Sequence, residues 1–209
     1  TVDLAHFAGF TSSGVLCEIM NDDGTMARVK DLYKLAKEHD LKLITIQDLI
    51  QYKRTKKSFV VEAYVVTMPT KFGEFKLHTF YNKYDEKEHH LAMVMGDVSG
   101  VEPCLLRVHS ECLTGDTFGS YRCDCGLQLE RALAKIAAEG RGALVYLRQE
   151  GRGIGFVAKM HAYDLQEKGL DTVEANVKLG YKPDLRDYGF GAQIIQHLGI
   201  KNARLMTNN

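Results

Sequence analysis

The stretch 104-CLLRVHSECLTGDTFGSYRCDCGLQLERALAKIAAEGRGALVYL-147 decides the fold. It opens on a strand-like run, 104-CLLRVHS-110, crosses a polar loop, and enters a helical pattern over 127-LQLERALAKIAAEG-140. Leu129, Leu133, Ile136 and Ala137 recur at three- and four-residue spacing and line one apolar face. Gly140 stands where a left-handed C-terminal cap belongs. The run 143-ALVYL-147 is continuously apolar, the pattern of a strand buried on both faces.

Working outward, period-two alternation marks strands in 59-FVVEAYVV-66 and 74-EFKLHTFY-81, and 91-LAMVMGDV-98 is also strand-like. Downstream come a helix over 155-GFVAKMHAYDLQEKG-169, an acidic turn 170-LDTVEAN-176, a helix over 190-FGAQIIQHLG-199 and a strand 203-ARLMT-207. Strands first and strand–helix alternation later predict a mixed sheet with helices on its faces. The fold class is α/β (α+β), a layered α-β-α domain. Before it, residues 1–52 read as a partial α/β segment: a helical pattern (Val2, Leu4, Ala5, Ala8), an apolar segment (Val15, Leu16), a turn 21-NDDG-24, a helix around 31-DLYKLAKEH-39, a strand 41-LKLITI-46 and a short helix 47-QDLIQYK-53. The polar stretch 53-KRTKKS-58, with four basic residues and no periodicity, is expected as a linker between this segment and a domain over 59–209. Both ends read as interior sequence, so the chain is expected to be a fragment, truncated at its C-terminus.

Composition narrows the function classes. With 27 basic and 27 acidic residues the chain carries no net charge, which argues against a non-specific nucleic-acid binder. It has no apolar run of membrane-spanning length. The start, TVDLAHFAGF, lacks the basic-then-apolar form of a signal peptide, so a cytoplasmic, reducing setting is expected. Five cysteines is an odd number, and their spacing suggests metal ligation rather than a disulfide framework.

Three of those cysteines fall within fourteen residues, at Cys112, Cys123 and Cys125. A Cys-x-Cys pair sets two sulfurs side by side, and Cys112 can loop back to them. Thiolates suit zinc in tetrahedral geometry. Three protein ligands leave a fourth position for water, the arrangement of a catalytic zinc. His109, three residues before Cys112, is the candidate for closing the site as a fourth ligand, and both arrangements stay open on spacing alone. Buried unligated cysteines or a redox pair are the bland alternatives. Cys17 and Cys104 lie in apolar surroundings and are expected in the core. Gly126 opens the next helix, so the cysteines sit at a helix N-terminus that favours thiolate charge.

Two further stretches are suited to phosphate. The turn 148-RQEGRGIG-155 lies between a buried strand and a helix, where Gly151, Gly153 and Gly155 permit close backbone approach and Arg148 and Arg152 add charge-assisted donors. It fits neither the P-loop nor the dinucleotide fingerprint. Arg107 and His109 end the preceding strand and could face the same cleft. Glu111 and Glu150 are possible acceptors for the N–H edge of a base. In 181-YKPDLRDYG-189, Asp184 and Arg186 can point to one side of an extended segment, either as a surface ion pair or as a carboxylate base beside a phosphate-handling cation. Tyr163, mid-helix, is a core tyrosine or a phenol reaching the cleft.

Taken together, 107-RVHSECLTGDTFGSYRCDCG-126, 148-RQEGRGIG-155, 171-DTVEAN-176 and 184-DLRDYG-189 closely resemble GTP cyclohydrolase II, the first committed enzyme of riboflavin synthesis. The resemblance runs from about residue 59 to the end. The stretch 17-CEIMNDDGTMAR-28 resembles the C-terminal end of 3,4-dihydroxy-2-butanone 4-phosphate synthase, so the chain looks like the junction of a bifunctional fusion.

The resemblance implies hydrolysis of GTP with opening of the imidazole ring, loss of C8 as formate, loss of pyrophosphate, and a diaminopyrimidinone ribosylamino phosphate as product. It implies one zinc per chain on Cys112, Cys123 and Cys125 with an open position, and magnesium with the triphosphate. It makes Arg186 the nucleophile toward the α-phosphate and Asp184 the proton acceptor. A guanidinium with a pKa above about 12 is a poor nucleophile, and stabilising the departing pyrophosphate is the alternative role. Tyr163 matches a tyrosine acting near the purine. GTP contacts carry over to Arg107, Val108, His109, Ser110, Glu111, Gln128, Glu150, Gly151, Arg152, Thr172 and Thr207; the family's motif continues past Asn209 with a phosphate-binding lysine. Glu18 matches an acidic residue of the synthase, whose activity is not expected from this remnant. A homodimer is expected, with neither nucleic acid nor membrane as partner. The rival readings are a structural zinc module and a non-catalytic, zinc-stabilised GTP-binding remnant.

Overall fold

A computed structural model describes residues 1–56, 58–182 and 184–208. Lys57 of the expected linker, Pro183 and Asn209 lie outside the described residues. The chain divides into two compact units, Thr1–Lys53 and Arg54–Asn209.

The second unit is built on one six-stranded sheet. Its strands are β1 (Val60–Thr70), β2 (Gly73–Asn82), β3 (Asp85–Met95), β4 (Cys104–Ser110), β5 (Gly142–Leu147) and β6 (Ala203–Leu205). Their order is β1-β2-β3-β5-β4-β6. β1, β2 and β3 form an antiparallel meander, and β3 also pairs antiparallel with β5. The β4–β5 and β4–β6 pairs are parallel. The sheet is therefore mixed, as expected. Parallel neighbours need a crossover, and the helix α5 (Cys125–Glu139) provides it between β4 and β5.

Side-chain alternation along β5 shows how the layers form. Ala143, Val145 and Leu147 join a core with Leu106, Phe190 and Ile194, against α8 (Gly189–His197). Leu144 and Tyr146 face the other way, against Phe75, Ala132 and Ile136 of α5's side. Both faces of β5 are buried, which is why its sequence is continuously apolar. Gly140 ends α5 in the left-handed conformation, φ 70°, and its N–H reaches the Ile136 and Ala137 carbonyls. A third, smaller core joins Ala162 and Leu165 of α6 (Phe156–Glu167) to Ala175 of α7 (Thr172–Lys178). Here the structure corrects the expected acidic turn over 170–176, which is mostly helix. Asp171 and Glu174 form a reciprocal capping box, the Asp171 carboxylate accepting from Glu174 N and the Glu174 carboxylate from Asp171 N. Their acidity is a helix start signal.

The first unit holds α1 (Val2–Phe7), α2 (Val29–Glu38) and most of α3 (Ile46–Lys56). The turn after Met20 is closed by a Met20–Met26 bridge, with the Asp23 carboxylate accepting from both the amide and hydroxyl of Thr25. Two expectations fail here. Residues 41–45 form no strand, since no described segment pairs with them. Cys17 is exposed rather than in a core, as are Val15 and Leu16. α3 also runs on through Lys56, into the stretch expected as a linker. No helix among the described residues is long and apolar enough to cross a membrane.

Candidate active site

The carboxyl ends of the parallel strands β4 and β5 are where the chemistry-bearing segments meet. After β4 the chain is tied to β5 by the Glu111 N–H donating to the Leu147 carbonyl, 2.8 Å. Cys112 then caps a single helical turn, α4 (Leu113–Asp116). The loop swings out through exposed Phe118 and Tyr121 and returns with Cys123. Cys125 is the first residue of α5. The three sulfurs lie within 4.8 Å of one another, with Cys112 and Cys123 3.5 Å apart.

Gly115 makes this approach possible. A Cβ there would stand 2.9 Å from Cys123 Sγ, 3.1 Å from Cys125 Cβ and 3.2 Å from Cys112 Sγ. Gly126 is required in turn, because a Cβ on it would meet the Gly115 carbonyl oxygen at 2.3 Å. The thiols do not ionise equally. A hydrogen bond from Cys125, with help from Lys159 and against the opposing effect of burial, draws Cys112 down to about 4. Cys125, donating that bond and itself desolvated, is pushed up. Burial raises Cys123. Soft, crowded sulfurs with one already anionic are the donor set a zinc ion takes, and binding it releases the remaining protons. The residues present therefore fit zinc.

His109 lies outside the cluster. It is 2 % exposed, and its Nε2 faces the Asp116 carboxylate at 3.1 Å. Asp116 also accepts from the Cys112 N–H at 3.0 Å and the Tyr146 hydroxyl at 2.8 Å. Burial works against the Asp116 anion, but His109 and these donors hold its carboxyl below the usual range. Asp116 thus braces the backbone of a residue of the cysteine cluster, a role its place in a turn-like sequence did not suggest.

Lys159 is the larger omission. It lies on α6, buried at 8 % exposure, and donates to Cys112 Sγ at 3.0 Å, Thr114 Oγ1 at 3.1 Å and Glu150 Oε1 at 2.8 Å. Glu150 also accepts from the Leu113 N–H at 2.7 Å and the Gly151 N–H at 2.9 Å, so its carboxylate is engaged inside the protein. One sequence signal was available: Lys159 shares the helix face of Ala162 and Leu165, where a charge needs a buried partner. Tyr163 reaches this network, its hydroxyl 3.5 Å from Thr114 Oγ1, with the Arg122 guanidinium 4.7 Å from its ring centre.

The remaining predicted residues divide between those brought together and those left apart. Arg107 donates to the Met206 carbonyl and to Gln128 Oε1, and Gln128 in turn to Asp124. Gln149 bridges two segments, donating to Ser110 Oγ at 3.2 Å and accepting from Asp187 N at 3.0 Å. The Leu185 N–H donates to the Arg152 carbonyl at 3.0 Å, fixing the Asp184–Arg186 segment beside the glycine-rich turn. In that turn both Gly151 and Arg152 are left-handed, at φ 64° and 60°. Arg186 forks onto Asp184, Nε meeting both carboxylate oxygens at 3.0 and 3.1 Å, and this holds the Asp184 carboxyl low. Glu111 pairs with Arg148 at 3.7 Å. Val108 packs its side chain into the apolar core, leaving only its backbone for a ligand. Thr172 opens α7 and is bonded to Gln166. Thr207, just past β6, is exposed. Glu18 is exposed within the first unit.

The fold and site define the class: a layered α/β domain with a cluster of three cysteines, able to hold a metal ion, at the carboxyl ends of its parallel strands. Residues 61–209 match the family described as GTP cyclohydrolase II, and residues 1–52 match 3,4-dihydroxy-2-butanone 4-phosphate synthase. The chain belongs to the GTP cyclohydrolase II family, with a synthase-family segment before it. Over its whole length it is 61 % identical to the riboflavin biosynthesis protein RibBA of Bacillus subtilis, and 59 % identical to that of Bacillus cytotoxicus, covering 52 % of each. It spans about half the length of these curated relatives. All of it also superposes on 52 % of RibBX, a two-domain 3,4-dihydroxy-2-butanone 4-phosphate synthase from A. baumannii, at 28 % identity and a TM-score of 0.56.

Proposed function

We propose that residues 61–209 hydrolyse GTP in riboflavin biosynthesis, opening the imidazole ring, releasing formate and pyrophosphate, and leaving a diaminopyrimidinone ribosylamino phosphate. The observation that carries this reading is the cluster of Cys112, Cys123 and Cys125 sulfurs within 4.8 Å, at the strand ends that also gather Arg107, Ser110 and the glycine-rich turn. Cys112, Cys123 and Cys125 would hold a zinc ion, which would supply the Lewis acidity that activates water at neutral pH.

The protein's own groups bind and orient the nucleotide. Arg107 Nε and His109 Nδ1 are buried without a hydrogen-bond partner among the described residues. An unpaired buried polar atom costs about 1–3 kcal/mol, and a bound nucleotide offsets that cost at the end of β4. Gln128, held by Arg107 and able to rotate from Asp124, presents an amide to the base. The Gly151–Arg152 backbone and Arg152 side chain face the phosphates, whose remaining charge a magnesium ion would neutralise when bound. Arg186, released from Asp184 onto the phosphate chain, stabilises charge as water displaces pyrophosphate from the α-phosphorus, and Asp184 accepts the proton of that water. Tyr163 acts beside the purine from its place on Thr114. Thr172 and Thr207 contribute outer polar contacts. The protein is a cytoplasmic homodimer.

The test is formate release from GTP, measured with and without zinc chelation and with Cys125→Ser. Chelation and the substitution should each abolish it. Normal formate production by Cys125→Ser would remove the basis of the metal reading. Retained GTP binding without formate from the native, zinc-loaded protein would instead identify a non-catalytic remnant.

A further inference from the structure

Lys159 is buried, and a buried ammonium is costly unless fully partnered. It has three protons to donate, and each has an acceptor: Glu150 Oε1, Thr114 Oγ1 and Cys112 Sγ. Glu150 alone would have sufficed to neutralise it. That carboxylate is itself oriented by the Leu113 and Gly151 amides, so the ammonium is aimed rather than free to swing. The acceptor it is aimed at is a sulfur of the three-cysteine cluster. Three thiolates around a divalent cation leave a net negative charge, which weakens the cation as a Lewis acid. A positive charge on one ligand sulfur opposes this.

Resting on the metal-centre reading above, we propose that Lys159 is a positioning residue of the reaction: oriented by Glu150, it draws electron density from the Cys112 sulfur and so tunes the ion that the three cysteines hold. It also fixes Thr114, whose hydroxyl lies 3.6 Å from the same sulfur and 3.5 Å from the Tyr163 hydroxyl. One side chain thereby couples the metal ligand to the group beside the substrate. Partners that orient and polarise ligands in this way are typically worth about 10–100-fold in metal affinity or activity.

The experiment compares the native chain with Lys159→Met and Lys159→Arg. Zinc per chain is measured first, then zinc retention against a chromophoric chelator, then the thiolate-to-metal charge-transfer band after loading with cobalt(II). Lys159→Met should fold, keep its zinc against the chelator and shift the band to lower energy, because an unbonded sulfur gives up electrons more easily. Its kcat should fall with KM for GTP little changed. Lys159→Arg should recover much of the band position. An unshifted band in Lys159→Met, or an arginine variant no better than the methionine one, overturns the proposal. Should Lys159→Met fail to fold because Glu150 is left without its counter-charge, the double variant Glu150→Gln/Lys159→Met removes both charges, and its band decides by the same criterion. A native chain that binds no zinc would instead overturn the metal-centre reading, an outcome distinct from an unshifted band in a zinc-replete variant.

Discussion

Adding one methyl group at Gly115 tests whether the cysteine cradle is set by close backbone approach. In Gly115→Ala the new Cβ would lie 2.9 Å from Cys123 Sγ, 3.2 Å from Cys112 Sγ and 3.1 Å from Cys125 Cβ. Ordinary carbon contacts are optimal at about 3.5–4.0 Å, so all three neighbours must retreat by several tenths of an ångström. They cannot do so freely, since Cys112 N–H is bonded to Asp116 and Cys125 is held in the first turn of α5. Overpacking of this kind costs about 1–3 kcal/mol. If that strain falls on the bound state, zinc affinity drops about 5- to 150-fold, at 1.4 kcal/mol per factor of ten. The backbone effect runs the other way, because alanine favours a helical turn over glycine by about 1 kcal/mol. The variant should therefore keep its fold while releasing zinc to a chelator sooner than the native chain. Native zinc stoichiometry and native resistance to the chelator in Gly115→Ala would refute the reasoning.

Arg186→Ala should lower turnover about 100-fold or more while leaving GTP affinity within about tenfold, as expected of a group whose contact strengthens with departing charge; weakened affinity at unchanged saturated turnover would contradict this. Ile136, fully buried between α5 and the sheet, should cost about 2–5 kcal/mol on truncation to alanine, read from urea unfolding. The pH dependence of stability should show the His90 imidazole. Burial depresses its folded pKa below the ordinary 6.5, only partly countered by Glu88, and its Nδ1 must stay unprotonated to accept the Arg148 N–H at 2.9 Å. A depressed histidine pKa means the unfolded chain binds the extra proton, so this stability is intact above 6.5 and is lost as pH falls below it. Thermal midpoints should decline between about pH 6.5 and pH 5.5, and less so in His90→Gln; identical declines in the two proteins would remove His90 as the cause.

Much of the fold was legible because local patterns and burial coincide. The four-residue spacing of Leu129 and Leu133 and the apolar run 143–147 describe surfaces that do meet, α5 against one face of β5. Where pattern and burial part, the reading failed. β3 begins at Asp85, six residues before its apolar run; the register with β2 shifts between Tyr81 and Asn82, where Asn82 pairs with Asp85, and the charged residues there have no apolar face to announce a strand. The stretch 41–46 has strand composition without a strand partner. Composition supplies the propensity, but a strand exists only where a neighbour completes its hydrogen bonds.

The site was legible in a different sense. Its thiols, cations and carboxylates lie in short runs, so residue type and spacing offered them as candidates before any geometry was known. Lys159 and Asp116 were missed because their meaning depends on partners brought near by the sheet. Lys159 meets Cys112 across 47 positions of sequence, and Tyr146 meets Asp116 across 30. Each contact exists only because β4 and β5 run parallel and deliver their carboxyl ends to one edge. The same topology explains why α6, entering from the turn after β5, can aim a lysine at a cysteine that follows β4. A ligand set can be written in a dozen residues, whereas the charge around it has to be assembled by the fold. Substitutions at Lys159 or Asp116 should therefore disturb the centre while every ligand remains in place.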